Sequence, residues 1–218
     1  RIIMKKNATL IAIILSSIAA PALAVEGLSA NVSATNNYLW RGLEQTQGEG
    51  AVSAGIDYNN ELGFYLGTWA SNASWADGMT YELDLYGGYG GEVNGLGYDV
   101  GYIYYAYPDS DTDSDFSEVY LNLSYGYFTF GYATLASGEG VSFGDDSYIS
   151  AGVEFNLADD LALSLNIGTG TDEFYAGEKF INYSATIAKS GFSFMLSRTD
   201  LDDDDLKVAV SYSIDIDL

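Results

Sequence analysis

Carboxylates recur at every second position within several apolar stretches of this chain: Asp57, Glu82, Asp84, Asp99, Glu118 and Glu154. Acids placed this way along a water-lined wall act through their field, attracting cations and disfavouring anions without making bonds. Arg41 is the evident basic partner. Paired with Glu82, Asp84 or Asp99 it would set a transverse field in a channel, or simply anchor a loop, because buried charges are usually paired. A second acidic group, Asp109, Asp111, Asp113 and Asp115, alternates through a Ser/Thr-rich run, and Asp202 to Asp205 form a block. Hard oxygen ligands suit Ca²⁺. The D-x-D-x-D spacing begins like an EF-hand loop, but the glycine and glutamate that should follow are missing. Solvated charge, bridged by divalent cations to lipopolysaccharide phosphates, is the simpler expectation for these loops.

Other chemistries are removed by composition. The 218 residues include no Cys and no His, and Lys+Arg 8 against Asp+Glu 31 give a formal charge of -23. Thiolate metal sites, disulfides and histidine-dependent catalysis are therefore out of reach. No nucleophile and base can be paired, so an enzyme is not expected, nor is a cofactor. Nothing is available to neutralise phosphates, so nucleic acid is not an expected partner. Disorder is also disfavoured, since 48% of residues are hydrophobic and 15% aromatic.

The elements that must position the acids are strands. The last segment shows the pattern most clearly: Val208, Val210, Tyr212, Ile214, Ile216 and Leu218 alternate with Ala209, Ser211, Ser213, Asp215 and Asp217. One greasy face and one wet face produce this pattern. The same alternation predicts strands at 28–38, 51–59, 64–73, 80–90, 96–106, 116–125, 127–135, 147–156, 161–169, 180–189, 192–198 and 206–218. Most have about 9–11 residues, the length a tilted strand needs to cross a bilayer. The faces of the third strand are not assignable.

Short connections at Asn60–Gly63, Glu92–Gly95, Tyr125–Gly126, Ala158–Asp160 and Ser190–Gly191 alternate with long polar loops. A membrane barrel sorts its connections this way, with tight periplasmic turns at one rim and long outer loops at the other. Tyr38, Trp40, Tyr58, Tyr98, Tyr104 and Tyr212 fall near strand ends, where aromatic side chains favour the membrane–water boundary. At the N-terminus, Met4-Lys5-Lys6, the apolar run Leu10 to Ala20 and Ala22-Leu23-Ala24 predict a cleaved signal peptide over 1–24, with 1–3 as an upstream extension. The mature barrel is expected over 25–218. The expectation is an all-β, closed antiparallel transmembrane barrel of about 12 strands in the outer membrane of a Gram-negative bacterium.

Several stretches resemble a known family. Tyr38-Leu39-Trp40-Arg41-Gly42-Leu43 with Gln45-Thr46 resembles the opening motif of the TorF porin family, also known as a bacterial group of unknown function. Trp69-Ala70-Ser71-Asn72, Glu82 to Tyr89, Tyr98-Asp99-Val100-Gly101, Tyr104-Tyr105 and Tyr107-Pro108 look like its later motifs. The resemblance covers most of the mature chain and implies an outer-membrane pore. It implies no substrate.

The inward positions of the ninth, tenth and twelfth predicted strands are small, among them Ser164, Ser184, Ala209 and Ser211, whereas Tyr86, Tyr105 and Tyr120 narrow the wall opposite. Two readings stay open. One is a narrow acidic pore, lined by the carboxylates named above with Arg41, passing small neutral or cationic solutes. The other is a non-conducting structural or adhesive barrel, plugged by glycines packed under tyrosines, whose acidic loops meet partners outside. Lipid and lipopolysaccharide are the expected surroundings in either reading.

Overall fold

In a computed structural model describing residues 26–172, 174–202 and 204–218, the chain forms strands and no helix among the described residues. The expected signal peptide lies outside the described residues. The wall begins with β1 (Leu28–Thr35), followed by a miniature hairpin, β2 (Leu39–Trp40) and β3 (Leu43–Glu44). It continues through β4 (Ala51–Asn59), β5 (Phe64–Asn72), β6 (Tyr81–Val93), β7 (Leu96–Ala106) and β8 (Phe116–Tyr125). Then come β9 (Phe128–Gly138), β10 (Ser147–Ala158), β11 (Leu161–Gly170), β12 (Phe180–Lys189), β13 (Phe192–Thr199) and β14 (Lys207–Asp217).

Twelve of these close into one antiparallel barrel, each paired with its neighbours in order; β2 and β3 pair only with each other. Closure runs through β1, which pairs with β14 from Ser29↔Asp217 to Thr35↔Ser211 and with β4 from Leu28↔Tyr58 to Thr35↔Ala51. A closed ring leaves no strand edge unpaired, as backbone in lipid requires.

Turn chemistry sets the short rim. Asn94 and Gly95 have φ of 52° and 83°, and Ser190 and Gly191 have 49° and 83°. Both central residues of a mirror-image two-residue turn need positive φ, and that turn matches the twist of the flanking strands. The long connections all lie at the opposite rim.

The pleat resolves the faces. Val52, Ile56, Leu66, Val100, Phe128, Ile167 and Val210 are exposed on the outer surface. On β5, which the sequence left unassigned, Phe64 and Leu66 point outward while Tyr65, Trp69 and Ser71 point inward. Trp69 on the inner face and Ala70 on the outer one blur the alternation there.

One boundary departs from expectation in an informative way. β1 stops at Thr35, not at residue 38. The chain then turns off the wall, so Tyr38 packs edge-on against Trp69 with ring centroids 5.5 Å apart. Trp40 packs against Tyr105, Phe116 and Tyr175. These two aromatics are core groups inside the barrel mouth rather than boundary anchors. Trp40 packs against the apolar cluster of the long-loop half, which includes Met79, Tyr107 and Leu135.

Candidate functional site

Beside the apolar cluster lies a turn. Leu39 pairs with Glu44 and Trp40 with Leu43, which leaves Arg41 (φ 54°) and Gly42 (φ 82°) as the turn residues. This is the same mirror-image turn as Ser190-Gly191, but directed into the lumen. Gly42 is required twice over. Its φ favours glycine, and an added Cβ would lie 3.0 Å from Asn182 Cβ and 3.1 Å from Thr199 Cγ2. The tip thus lies against β12 and β13. From there Arg41 reaches β8, well round the ring from β1.

Arg41 donates from Nη1 and Nη2 to the two carboxylate oxygens of Glu118, each at 2.8 Å. This fork-to-fork pairing is the strongest geometry open to an arginine and a carboxylate. The guanidinium carbon also sits 4.2 Å from the ring centres of Trp40 and Tyr148, and 4.7 Å from that of Tyr175. Glu118 is 1% exposed. Its Oε1 also accepts from the Tyr175 hydroxyl at 2.6 Å, and its Oε2 from the Tyr105 hydroxyl at 3.1 Å. A register shift between Ser117 and Glu118 in the β8–β9 ladder marks a bulge at this point. Bulges re-aim side chains, and Ser117 and Glu118 are both buried although they are consecutive.

Toward the short-turn rim the acids are less buried. Asp57 accepts from the Tyr86 hydroxyl at 2.5 Å and from Asn31 at 3.2 Å. Asp99 accepts from the Tyr65 hydroxyl at 2.5 Å and from Asn122 at 3.2 Å. Each aspartate is therefore braced by one tyrosine and one asparagine. The tyrosines lie flat because glycines lie beneath them: a Cβ on Gly67 would meet the Tyr86 ring at 2.4 Å, and one on Gly101 would meet the Tyr120 hydroxyl at 2.4 Å. Glu154 accepts from Ser164 at 3.3 Å on the wall of small residues.

Glu82 and Asp84 differ from these acids. They are buried beside Tyr38, Tyr105 and Tyr107, and Glu82 Oε2 and Asp84 Oδ1 have no hydrogen-bond partner. Arg41 pairs with neither of them, nor with Asp99. That corrects the sequence expectation, because the turn carries Arg41 past β6 and β7 to Glu118.

Two cavities flank the hairpin. One of about 390 Å³ lies on the short-turn side and is lined by Arg41, Tyr86, Asp99, Glu118, Tyr120 and Tyr148, among others. One of about 530 Å³ lies on the long-loop side, against Trp40, Glu44, Trp75, Tyr107, Phe116 and Tyr175. They share no lining residue. Consecutive residues Trp40 and Arg41 line different cavities, so the hairpin lies between them.

The acidic loop does not converge. Asp109 accepts from the backbone N–H and hydroxyl of Thr80, and Asp115 accepts from the Tyr104 hydroxyl and the Tyr107 N–H. The hydroxyl of Thr80 holds the Asp109 carboxyl below its ordinary range. Among the described residues no group of three or more acids is arranged to hold a metal ion. Sequence reasoning missed Asp146. It is 2% exposed, and it accepts from Ser147, Thr171, Asp172 and Phe174, tying the β9–β10 connection to the β11–β12 connection. The turn leaves only one trace in the sequence, a residue-Gly dipeptide at Arg41-Gly42 like that at Ser190-Gly191.

Comparison with known proteins places this geometry. The family model described as a bacterial protein of unknown function (Gcw_chp) matches residues 19–214. None of the curated proteins compared matches. Among solved structures, the KdgM porin in complex with disordered oligogalacturonate is similar with a TM-score of 0.54 at 6% identity, covering 86% of this chain and 96% of that one. The KdgM porin alone is similar with a TM-score of 0.55 at 6% identity, covering 86% and 97%. At that identity the likeness is one of fold: a porin-like barrel. The comparisons supply the group of unknown function and the porin-like fold, and not the TorF name.

Proposed function

The chain belongs to the Gcw_chp family of bacterial proteins of unknown function, and we propose that it is an outer-membrane porin admitting small neutral or cationic solutes past an acidic wall. The observation that carries this reading is the charge distribution inside the ring. Asp57, Asp99 and Glu154 face the interior without a basic partner among the ion pairs of the described residues, and Arg41, the one basic group on the wall of the cavity below the hairpin, is taken up by Glu118. A carboxylate-lined wall favours cations by field. The solute class then differs from that of the KdgM structure, because oligogalacturonate is a polyanion and this wall would repel it. In this reading the long loops face outward, the short turns face the periplasm, and residues 1–24 are the export signal.

Planar-bilayer recording on refolded protein tests the proposal. The expected reversal potential in a salt gradient is cation-selective, and the selectivity should fall in an Asp57→Asn/Asp99→Asn variant. A clear preference for anions at neutral pH would end the acidic-wall reading.

The hairpin lying across the lumen favours a second reading, a barrel that does not conduct at rest and serves a structural or adhesive role through its acidic loops. Silence of the wild-type protein, together with silence after removal of the hairpin side chains, would select it.

A further inference from the structure

Arg41 is held by its own barrel as a cationic ligand would be. Its guanidinium is forked on one carboxylate and ringed by three aromatic faces. The carboxylate is itself oriented by two tyrosine hydroxyls that leave both oxygens able to accept the fork. We propose that Glu118, Tyr148 and Tyr175 form a guanidinium-recognition site that Arg41 occupies in the closed barrel. A guanidinium-bearing solute entering the lumen takes the place of Arg41 and releases the hairpin.

Several observations support displacement rather than permanent structure. The hairpin has no ladder to the barrel wall, since β2 and β3 form a separate two-stranded sheet. Arg41 occupies a left-handed backbone position that a side chain other than Asn, Asp or Gly seldom takes. The site is also reachable: the cavity of about 390 Å³ opens onto Arg41, Glu118 and Tyr148 from the short-turn side. That size lies within the ~300–1,000 Å³ of small-molecule pockets. Asp99 lines the same cavity and adds an attractive charge for a cation.

The chemistry selects the class. A planar guanidinium satisfies both oxygens of a carboxylate at once and stacks on aromatic faces. An ammonium is a compact point charge and matches the fork less well. A neutral urea has the shape without the charge. Recognition of the cage stands on its own geometry, whereas release of the hairpin rests on the pore reading given above.

The experiment uses methylguanidinium, with methylammonium and methylurea as controls. In an Arg41→Ala barrel refolded in detergent, methylguanidinium should change tryptophan fluorescence saturably at millimolar concentration and raise the unfolding midpoint. Methylurea should do neither, and Glu118→Gln in the same background should abolish the response. No saturable response, or equal responses to methylguanidinium and methylurea, overturns the cage. Arg41→Gln, which keeps more of the side-chain volume, replaces Arg41→Ala if the latter does not refold. In wild-type single-channel records, methylguanidinium added to the short-turn side should raise the open probability above that seen with equal methylammonium. Unchanged gating overturns release. Binding in the variants from a protein that conducts under no condition would leave the cage standing and overturn the pore instead.

Discussion

At the scale of single residues, Arg41 and Glu118 dominate because there is nothing to replace them. Glu118→Ala leaves a guanidinium in an aromatic cage without its counter-charge, and Arg41→Ala leaves a carboxylate that is 1% exposed with two tyrosine donors and no cation. Breaking one side of a buried pair costs about 3–5 kcal/mol, whereas removing both sides costs less. The Arg41→Ala/Glu118→Ala double variant should therefore be more stable in urea titration than either single variant. Additive losses would mean that the two groups do not act as a pair. Conductance should rise in the double variant, since the tether of the hairpin is gone. Asp146 is the other residue of weight. Asp146→Ala removes the acceptor for donors on Ser147, Thr171, Asp172 and Phe174. The β11–β12 connection should become protease-sensitive while the barrel stays intact, and limited proteolysis with a heat-modifiability gel reads both. The scarcity of basic residues already marked Arg41 as special in the sequence. Its partner was not legible, because the choice among carboxylates depends on how far a two-residue turn carries the side chain and on a bulge that no local pattern announces.

At the scale of elements, the strands were legible and the hairpin between them was not. Alternation fixes which residues share a face, and β4, β7, β8 and β12 begin and end where the period-two pattern does. β2 and β3 have two residues each, too few for any period to show. They exist because the turn residues favour them and because the barrel mouth covers them, which is tertiary information. The inner wall obeys a second rule that composition only hinted at: glycine on one strand makes room for tyrosine from another. A Cβ at Gly88 would lie 2.5 Å from the Val100 carbonyl oxygen and 2.4 Å from the Tyr65 hydroxyl, whereas at Gly90 its nearest neighbour would be 3.6 Å away. Backbone cannot step aside as a side-chain tip can. Gly88→Ala should cost about 1–3 kcal/mol, as overpacking does, while Gly90→Ala should fall close to wild type. Equal unfolding midpoints for the two would show that the tyrosines are not seated on the glycines.

At the scale of the whole molecule, the same chain must satisfy two solvents. The outer band of Val52, Ile56, Leu66, Val100 and Ile167 has no protein to pack against, so its stability in the folded state depends on lipid or detergent. The inner surface depends on water and on internal hydrogen bonds. A charge placed on one face or the other should therefore act through unrelated mechanisms. Ile56 lies in the middle of β4 and is 50% exposed on the outer face. Ile56→Arg should destabilise the barrel in vesicles by about 2–4 kcal/mol, the cost of a basic side chain near the bilayer midplane. Ser184 lies in β12, whose in-register neighbours are Asn166 and Ser197, on the wall of small inward residues. Ser184→Arg adds a cation where acids predominate, so folding should stay within about 1 kcal/mol of wild type. Conductance and cation preference should both drop. Urea titration in lipid vesicles and reversal potentials separate the two effects. If Ser184→Arg unfolded the barrel while Ile56→Arg left it untouched, the pleat would be inverted, with apolar groups inside and carboxylates facing solvent. The porin reading would then fall with it, because a barrel with an apolar interior has no water-lined path to conduct ions.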